Sequence, residues 1–188
     1  MEFHKSTQMV DMIYKLLPKD HPFVHTEMPE YVDSDEVSRK QISDDLAETM
    51  KHYGGIGLSA NQVGLPYRVF VMGDNKNFAA CFNPKILVES DTQVPIEEGC
   101  LTYPGLFVKI RRPDWIEVEF EDENGDKHTD TFEGLMCRVF QHEMDHMNGI
   151  DFTSRAKKMD LNIAKRKLKR GKLKLKRAHG KDMLARAS

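Results

Sequence analysis

Residues 141–146 have the sequence QHEMDH, in which two histidines four positions apart enclose a glutamate. On an α-helix the side chains of His142 and His146 point the same way, so both could offer an imidazole nitrogen to one cation beside Glu143. This is the HExxH arrangement of zinc hydrolases, in which the glutamate serves as general base. Two helical histidines can also be plain surface or core residues, but the glutamate between them favours a catalytic metal site.

A catalytic metal usually has three protein ligands and one open position, so the two histidines leave one ligand to be found. Cys100 is the candidate that the sequence offers, in the segment PIEEGCLTYPG with turn residues just after it. A thiolate and two neutral imidazoles would leave a divalent metal with a net positive charge. Water at the open position would then lose a proton near neutral pH.

Three segments of the chain resemble the motifs of peptide deformylases, which run GxGLAAxQ, EGCLS and HExDH. Here they are GIGLSANQ, with its core at residues 57–62, EGCLT at residues 98–102 and HEMDH at residues 142–146. The segments follow one another in the family's order and with similar gaps. Together with the hairpin predicted between the last two, they cover roughly residues 36–152.

The resemblance implies an amide hydrolase that removes the N-formyl group from N-formylmethionine at the start of nascent polypeptides. Cys100, His142 and His146 would hold one divalent metal ion, and a metal-bound water would attack the formyl carbon. Glu143 would take the proton of that water and pass it to the leaving amine, as general base and then acid. The family's metal is Fe(II), which we expect in the cell, with Zn, Ni or Co in purified protein.

The resemblance assigns Gln62 and Leu101 to the surroundings of the metal, and the positions of other charged residues suggest further contacts there. The side-chain amide of Gln62 and the backbone N–H of Leu101 would stabilise the oxyanion that forms on the formyl oxygen. Glu98 and Arg112 would form a pair that holds the cysteine loop against the metal, the alternative being a surface ion pair of little energetic value. Asp145 would orient either a ligand histidine or nearby backbone.

Four residues are implied to bind the substrate. Ile56, Gly57 and Leu58 would pair with the substrate backbone like an added strand. Ile56 and Val139 would help to line a pocket for the first side chain, which suits methionine because that side chain is unbranched and apolar. For these two residues a plain core role is the alternative.

Three positions depart from the family motifs. Ser59 stands in place of the usual alanine, Thr102 in place of serine and Met147 in place of leucine. Each change keeps size or polarity close to the usual residue, so we expect it to tune activity. The N-terminal segment LLPKDHPFVHTEMPEYV resembles the family only loosely, which leaves both a bacterial and a phage-encoded member open.

The elements that position these residues alternate between helical and strand patterns. SDEVSRKQISDDLAETMKHYGG predicts a helix that starts at a Ser/Asp cap and ends at its glycine pair. YRVFVMGD and FAACFNPKILV predict short strands, and DWIEVEFEDENGDKHTDTF predicts a β-hairpin with one solvent-facing side. EGLMCRVFQHEMDHMNG predicts a helix with Leu135, Val139, His142 and His146 along one side and a stop at Gly149.

We therefore predict an α+β fold, with small antiparallel β-sheets packed around a central HExxH-bearing helix and a C-terminal basic helix. A chain of 188 residues with 39% apolar composition can bury one catalytic core. We place the metal-dependent catalytic domain at residues 1–154 and a basic helical extension at residues 155–188. The single-domain length favours a monomer.

The extension differs sharply from the body in charge. Residues 155–188 carry 14 Lys or Arg and 2 Asp or Glu, whereas residues 1–154 carry 14 and 28, so the net charges are +12 and −14. Leu161, Leu168 and Leu175 recur every seven residues beside Ala164 and Ala178, which predicts a narrow apolar stripe on a basic helix. The resemblance implies that this helix docks on ribosomal RNA near the peptide exit tunnel. A solvated basic extension and binding to an acidic membrane surface are the alternatives.

Other features of the sequence limit its location and chemistry. No apolar run approaches the roughly 20 residues that cross a bilayer, and the first residues lack the layout of a signal peptide. We therefore expect the protein in the cytoplasm, or in the host cytoplasm if it is phage-encoded. Three cysteines, Cys81, Cys100 and Cys137, make a disulfide framework unexpected.

Two other functional classes remain open at this point. A different HExxH hydrolase, such as a peptidase, would take its third ligand from a residue after the helix, where only His179 and a few acidic residues occur. An RNA-binding protein with a structural metal site would need a fourth ligand from Cys81 or Cys137. Cys137 lies about 140° round the helix from His142, and Cys81 is predicted on a buried strand.

Overall fold

The computed structural model describes residues 12–34, 37–74 and 76–186, with side-chain contacts up to residue 173. The helices and strands of this described part follow one another along the chain. They are α1 (Arg39–His52), β1 (Gly57–Ser59), β2 (Val69–Gly73), β3 (Phe78–Glu89), β4 (Gln93–Gly99), β5 (Phe107–Pro113), β6 (Trp115–Glu121), β7 (Lys127–Glu133), α2 (Gly134–Met147) and α3 (Lys158–Arg186).

The strands form two antiparallel sheets. Five of them pair in the order β1-β2-β3-β6-β7, and β4 pairs with β5 in a separate two-stranded sheet. This confirms the predicted α+β class with antiparallel sheets. The β4–β5 hairpin was not predicted, and its connecting segment, residues 100–106, contains the candidate cysteine ligand.

Helix α1 is confirmed, but it begins later than predicted. Its N-cap is Ser38, whose side chain accepts a hydrogen bond from the backbone N–H of Gln41, so the expected start at Ser34 is wrong. Ser38 thereby gives a partner to the Gln41 N–H, which has none within the first turn of the helix. Asp33, just before the predicted start, instead pairs with the side chain of Arg39. Asp35 of the predicted cap lies outside the described residues.

The β6–β7 hairpin has one buried face and one solvent-exposed face, as predicted. Ile116, Val118 and Phe120 alternate along β6 and point into the core, while most of β7 is exposed. The Asp122 carboxylate accepts hydrogen bonds from backbone N–H groups of the turn, where Gly125 has a φ of +84°. A positive φ favours glycine, which explains the Asn-Gly signal in the sequence.

Helix α2 lies between the sheets and is shielded from solvent on all sides over most of its length. Every residue from 137 to 147 is buried, and Phe140 packs edge-on against Phe70 of β2. The helix ends at Met147, and the predicted stop residue Gly149 follows two positions later with a φ of +66°. Because a buried polar group needs a partner, the polar side chains of this helix must find partners inside the protein.

The first half of α3 packs against the β4–β5 hairpin. Leu161, Ala164 and Leu168 join a cluster with Val108 and Ile110 of β5, so the described part of the predicted stripe contacts the body. Leu175 and Ala178 lie outside the residues whose side chains are described. The Lys and Arg side chains of α3 up to residue 172 are exposed. Across the described chain, no helix combines the length and apolar character needed to cross a membrane.

Two glycines give opposite expectations for alanine substitution. A Cβ at Gly171 in α3 would meet no atom within 4 Å, so Gly171→Ala should stabilise the helix by about 0.5–1 kcal/mol. A Cβ at Gly149 would lie 2.7 Å from the carbonyl oxygen of His25, in addition to the positive φ, so Gly149→Ala should lower stability. Amide hydrogen exchange in α3 and denaturant unfolding measure these effects. Unchanged exchange protection around residue 171 would contradict the first expectation.

Candidate metal centre

Three potential ligands meet between α2 and the turn after β4. One donor atom from each of Cys100, His142 and His146 lies within 4.8 Å of the others, and the Cys100 Sγ is 3.2 Å from His146 Nε2. This is close to the spacing needed by donors that each lie about 2.0–2.3 Å from a shared ion. The helix supplies both histidines on one side, as their spacing predicted, and the β4–β5 turn supplies the sulfur.

The protonation chemistry of the donors suits a cation. Burial lowers the pKa of His146 well below its usual range, helped by nearby positive charge, so its ring stays neutral as a metal ligand must. Burial also opposes charging of His142, but its contacts with Cys100 and Glu98 outweigh this and raise the pKa of His142 to about 10. The Cys100 sulfur and the Glu98 carboxylate therefore favour a positive charge at this site. A divalent metal ion would supply that charge.

The cluster has three protein ligands within the described part of the chain. Cys81 is fully buried in the core on β3, and the Cys137 sulfur lies 3.6 Å from the carbonyl oxygen of Pro113. Neither cysteine joins the donor group, so the closed four-ligand site required for a structural metal is not formed by these residues. Three ligands leave room for water, as in catalytic sites.

The side chain of Glu98 forms hydrogen bonds with several residues around the candidate metal centre. Its carboxylate accepts two hydrogen bonds from Arg112, at 2.7 and 2.9 Å, and one from His142 Nδ1 at 3.0 Å. Both Glu98 and Arg112 are buried, which excludes the surface-pair alternative. Burial alone would raise the pKa of Glu98, but the His142 and Arg112 hydrogen bonds prevail and lower it to about 2.

Arg138 also binds Glu98, and the sequence analysis missed it. Its guanidinium donates to Glu98 Oε1 at 2.9 Å and to the backbone carbonyls of Val94 and Ile110 at 2.7 and 3.3 Å. These contacts tie α2 to both strands of the β4–β5 hairpin. The available signal was an arginine four positions before His142, on the side of the helix that carries the histidines.

Asp145 takes neither of its predicted roles. Its carboxylate accepts from Arg112 Nη1 at 2.8 Å and from Arg155 Nη2 at 2.6 Å. Arg112 therefore bridges two buried carboxylates, and the pair with Arg155 attaches the start of the basic extension to α2. Helical position alone could not reveal this, because both arginines come from other elements.

Glu143 is buried beside the ligands and is held from two sides. Its Oε2 accepts a hydrogen bond from Ser59 Oγ at 2.6 Å, and a Cβ at Gly57 would lie 2.4 Å from its Oε1. Only glycine at position 57 leaves space for the carboxylate in this position. Burial raises the pKa of Glu143, with His142 and Ser59 opposing the shift only in part.

Gln62 approaches the centre from the turn after β1. Its Oε1 accepts from the backbone N–H of Ser59 at 2.9 Å, while its Nε2 donates to Thr102 Oγ1 at 2.9 Å and lies 3.5 Å from the Cys100 sulfur. The Leu101 side chain packs close to Gly55. Residues from the three sequence motifs are thus brought together.

A cleft of about 780 Å³ opens onto this centre between β1, β4 and α2. The predicted site residues that line it are Ile56, Gly57, Gln62, Glu98, Cys100, Leu101, Val139, His142 and Glu143. Val139 lines this cleft and also belongs to the buried core. Leu58 differs: its side chain is fully buried in the core, because successive residues of a strand point to opposite faces.

Comparisons with known proteins agree with this geometry. The family described as polypeptide deformylase matches residues 13–162. A peptide deformylase of Thermotoga maritima is 42% identical over 135 residues, which cover 71% of this chain and 79% of the relative. The crystal structure of a Thermotoga maritima peptide deformylase aligns with a TM-score of 0.73 and 36% identity, covering 77% of this chain and 98% of that one. A probable peptide deformylase from Synechococcus phage S-SSM7 aligns with a TM-score of 0.69 and 32% identity, covering 76% and 99%.

Replacement of Glu98 tests the support of the centre. Glu98→Gln removes the charge that pairs with Arg112 and Arg138 and weakens the hold on His142 Nδ1, so metal affinity should fall by about 10–100-fold. Competition with a chelator measures the affinity. The matched control is Glu97→Gln, which alters an exposed contact at 3.8 Å with Lys167 and should bind metal like the wild type. Equal affinities of the two variants would contradict the assigned role of Glu98.

Proposed function

The chain belongs to the peptide deformylase family, and from this membership we propose how its own residues remove the formyl group from the N-terminus of nascent polypeptides. The enzyme is a metal-dependent hydrolase, and its reaction cleaves an amide to give formate and a free amine. The observation that carries the assignment of residues is the convergence of a Cys/His/His donor set and a buried glutamate in one cleft.

His142 and His146 of α2, the central HExxH-bearing helix, and Cys100 of the turn after β4 are proposed to hold one divalent metal. When bound, the metal would act as a Lewis acid that activates water near neutral pH. Fe(II) is our proposal for the cell, and Zn, Ni or Co for purified protein, since one sulfur and two imidazole nitrogens accept each of these ions. The spacing of the three donor atoms and the neutral state of His146 support the assignment.

Glu143 is proposed as the group that moves the proton. Its Oε2 is occupied by Ser59, so Oε1, which lies against Gly57 in the wall of the cleft, is the oxygen left to accept the proton of the attacking water. The same oxygen would return the proton to the leaving amine nitrogen. The raised pKa of Glu143 suits a base that must also act as an acid.

Gln62 and Leu101 are proposed to stabilise the negative charge on the formyl oxygen through the side-chain amide and the backbone N–H. The Ser59 N–H holds the Gln62 carbonyl, which leaves the amide NH₂ group directed toward Cys100 and Thr102. A donor fixed in this way before the substrate arrives needs no reorganisation during the reaction.

The substrate backbone is proposed to lie as an added strand between β1 and β4. The Ile56 carbonyl accepts from the Gly73 N–H at 3.0 Å, so Ile56 faces β2. Backbone groups of successive strand residues point in opposite directions, and Gly57 therefore faces the open edge of β1 in the cleft. Val139 beside this edge would contact the methionine side chain.

Formate release from formyl-Met-Ala-Ser by anaerobically prepared, iron-loaded protein tests this function. Glu143→Gln should lower kcat by at least about 100-fold with the metal retained, because the proton acceptor is lost. Cys100→Ser should lose metal and activity together. Cys137→Ser is the matched control, since that buried cysteine lies outside the donor group, and it should keep both. A wild-type protein that binds metal and frees no formate would contradict the proposal.

We further propose that residues 1–154 carry catalysis and that residues 155–188 dock on ribosomal RNA near the exit of nascent chains, in the cytoplasm where those chains emerge. The support is the arrangement of α3, whose Leu161, Ala164 and Leu168 pack on the body while its described cations face outward. Outward cations along a fixed helix suit contacts with phosphates.

Neutralising the outward charges of α3 tests this docking. A variant in which four exposed cations become glutamine should lose co-sedimentation with ribosomes and keep formate release from a short peptide, because the changes lie away from the cleft; the four are Lys165, Arg166, Lys169 and Arg170. Binding by the wild type should weaken steeply between about 50 and 200 mM salt.

The matched control neutralises four exposed cations of the body, namely Lys85, Lys109, Arg111 and Lys127, and should still co-sediment. Equal loss in the two variants would mean that net charge acts without a docking helix. Binding of the wild type to vesicles of anionic lipid in preference to ribosomes would favour the membrane alternative.

A further inference from the structure

Ser59 at the end of β1 contacts both of the groups proposed to act on the substrate. Its hydroxyl donates to Glu143 Oε2 at 2.6 Å, and its backbone N–H donates to Gln62 Oε1 at 2.9 Å. The side chain is fully buried, with no exposed surface. The family motif that this segment resembles has an alanine here, which could make the backbone contact but not the hydroxyl contact.

We propose that Ser59 is a positioning residue for the hydrolysis, which sets where the proton-accepting carboxylate of Glu143 stands relative to the amide of Gln62. This inference rests on the proposed function of the cleft. Ser59 touches neither the substrate nor the donor group of the metal, so its effect passes through the two residues that it holds.

The hydroxyl makes the two oxygens of Glu143 unequal. The terminal torsion of a glutamate side chain is broad and nearly two-fold, so a carboxylate without a directional partner can present either oxygen. A donor at 2.6 Å from Oε2 has the short length typical of a hydrogen bond to a charged oxygen. With Oε2 held by Ser59, Oε1 remains against Gly57, where it lines the cleft.

The backbone of Ser59 is itself fixed, so its hydroxyl reaches Glu143 from a defined position. Ser59 pairs with Phe70 at the end of the β1–β2 ladder, which holds its backbone in place. A serine that precedes a 3-10 turn, here Ala60–Val63, usually serves to cap that turn. Here Ser59 forms a capping box with Gln62, and its hydroxyl also donates the short hydrogen bond to Glu143 on α2, 84 positions away in sequence.

The substitution Ser59→Ala tests the inference in the metal-loaded enzyme, and alanine at this position is compatible with the family's motif. We expect kcat to fall by about 10-fold, as for the loss of one hydrogen bond to a charged group. KM and metal content should stay unchanged, because the contact aligns the carboxylate for the reaction and binds neither substrate nor metal. A kcat within 2-fold of the wild type, or a change confined to KM, would overturn the inference.

Ser43→Ala is the matched control. Ser43 is a buried serine of α1 whose hydroxyl donates to the Arg39 carbonyl at 2.8 Å, far from the cleft residues. Removal of this hydroxyl should leave kcat and KM unchanged. A similar loss of kcat in both variants would show that any buried hydroxyl affects the enzyme through general stability.

A double-mutant cycle measures the contact without using activity. Ser59→Ala should lower the denaturant midpoint of unfolding when Glu143 is present and should have little effect in the Glu143→Ala background. Equal shifts in both backgrounds would overturn the inference, because the hydroxyl would then act independently of Glu143. If the wild-type protein released no formate, the proposed function would fail, and this cycle would still decide whether Ser59 holds Glu143.

Discussion

The structure depends on the buried carboxylate of Glu98. Moving a charge out of water costs several kcal/mol unless it is paired and hydrogen-bonded, and here two arginines and a histidine ring satisfy it. The partners come from different elements: Arg112 from β5, and Arg138 and His142 from α2. The need to pair the buried charge of Glu98 therefore joins the hairpin that carries Cys100 to the helix that carries the histidines. The metal donors are brought together as a consequence of this joining.

The two glutamates of the cleft show how burial produces opposite chemistry. Glu98 is surrounded by donors and keeps its charge, which serves to orient a ligand histidine. Glu143 is also buried, and burial makes its charged form less favoured although the Ser59 hydroxyl donates a short hydrogen bond to it. The same type of side chain is thus held charged in one environment, whereas burial disfavours its charged form in the other.

The arrangement of the sheets leaves two edge strands beside the cleft. β1 is an edge strand of the larger sheet and β4 an edge strand of the smaller one, and both border the cleft. Helix α3 packs on the β4–β5 hairpin, and Arg155 just before it pairs with Asp145 of α2. The basic extension is therefore attached to the same elements that hold the metal donors, while its cations remain on the outside.

Local patterns in the sequence determined much of this protein. The spacing of His142 and His146 predicted a shared side of a helix, alternation predicted the β6–β7 hairpin, and the motifs predicted the donor set. These are short-range regularities that follow from the periods of helices and strands. Only the tertiary structure decided the start of α1 at Ser38, the partners of Asp145, the core position of Leu58 and the part played by Arg138. It also decided that Ser59 reaches Glu143, because such contacts join residues far apart in the chain, and no local period records which side chains will meet across a folded core.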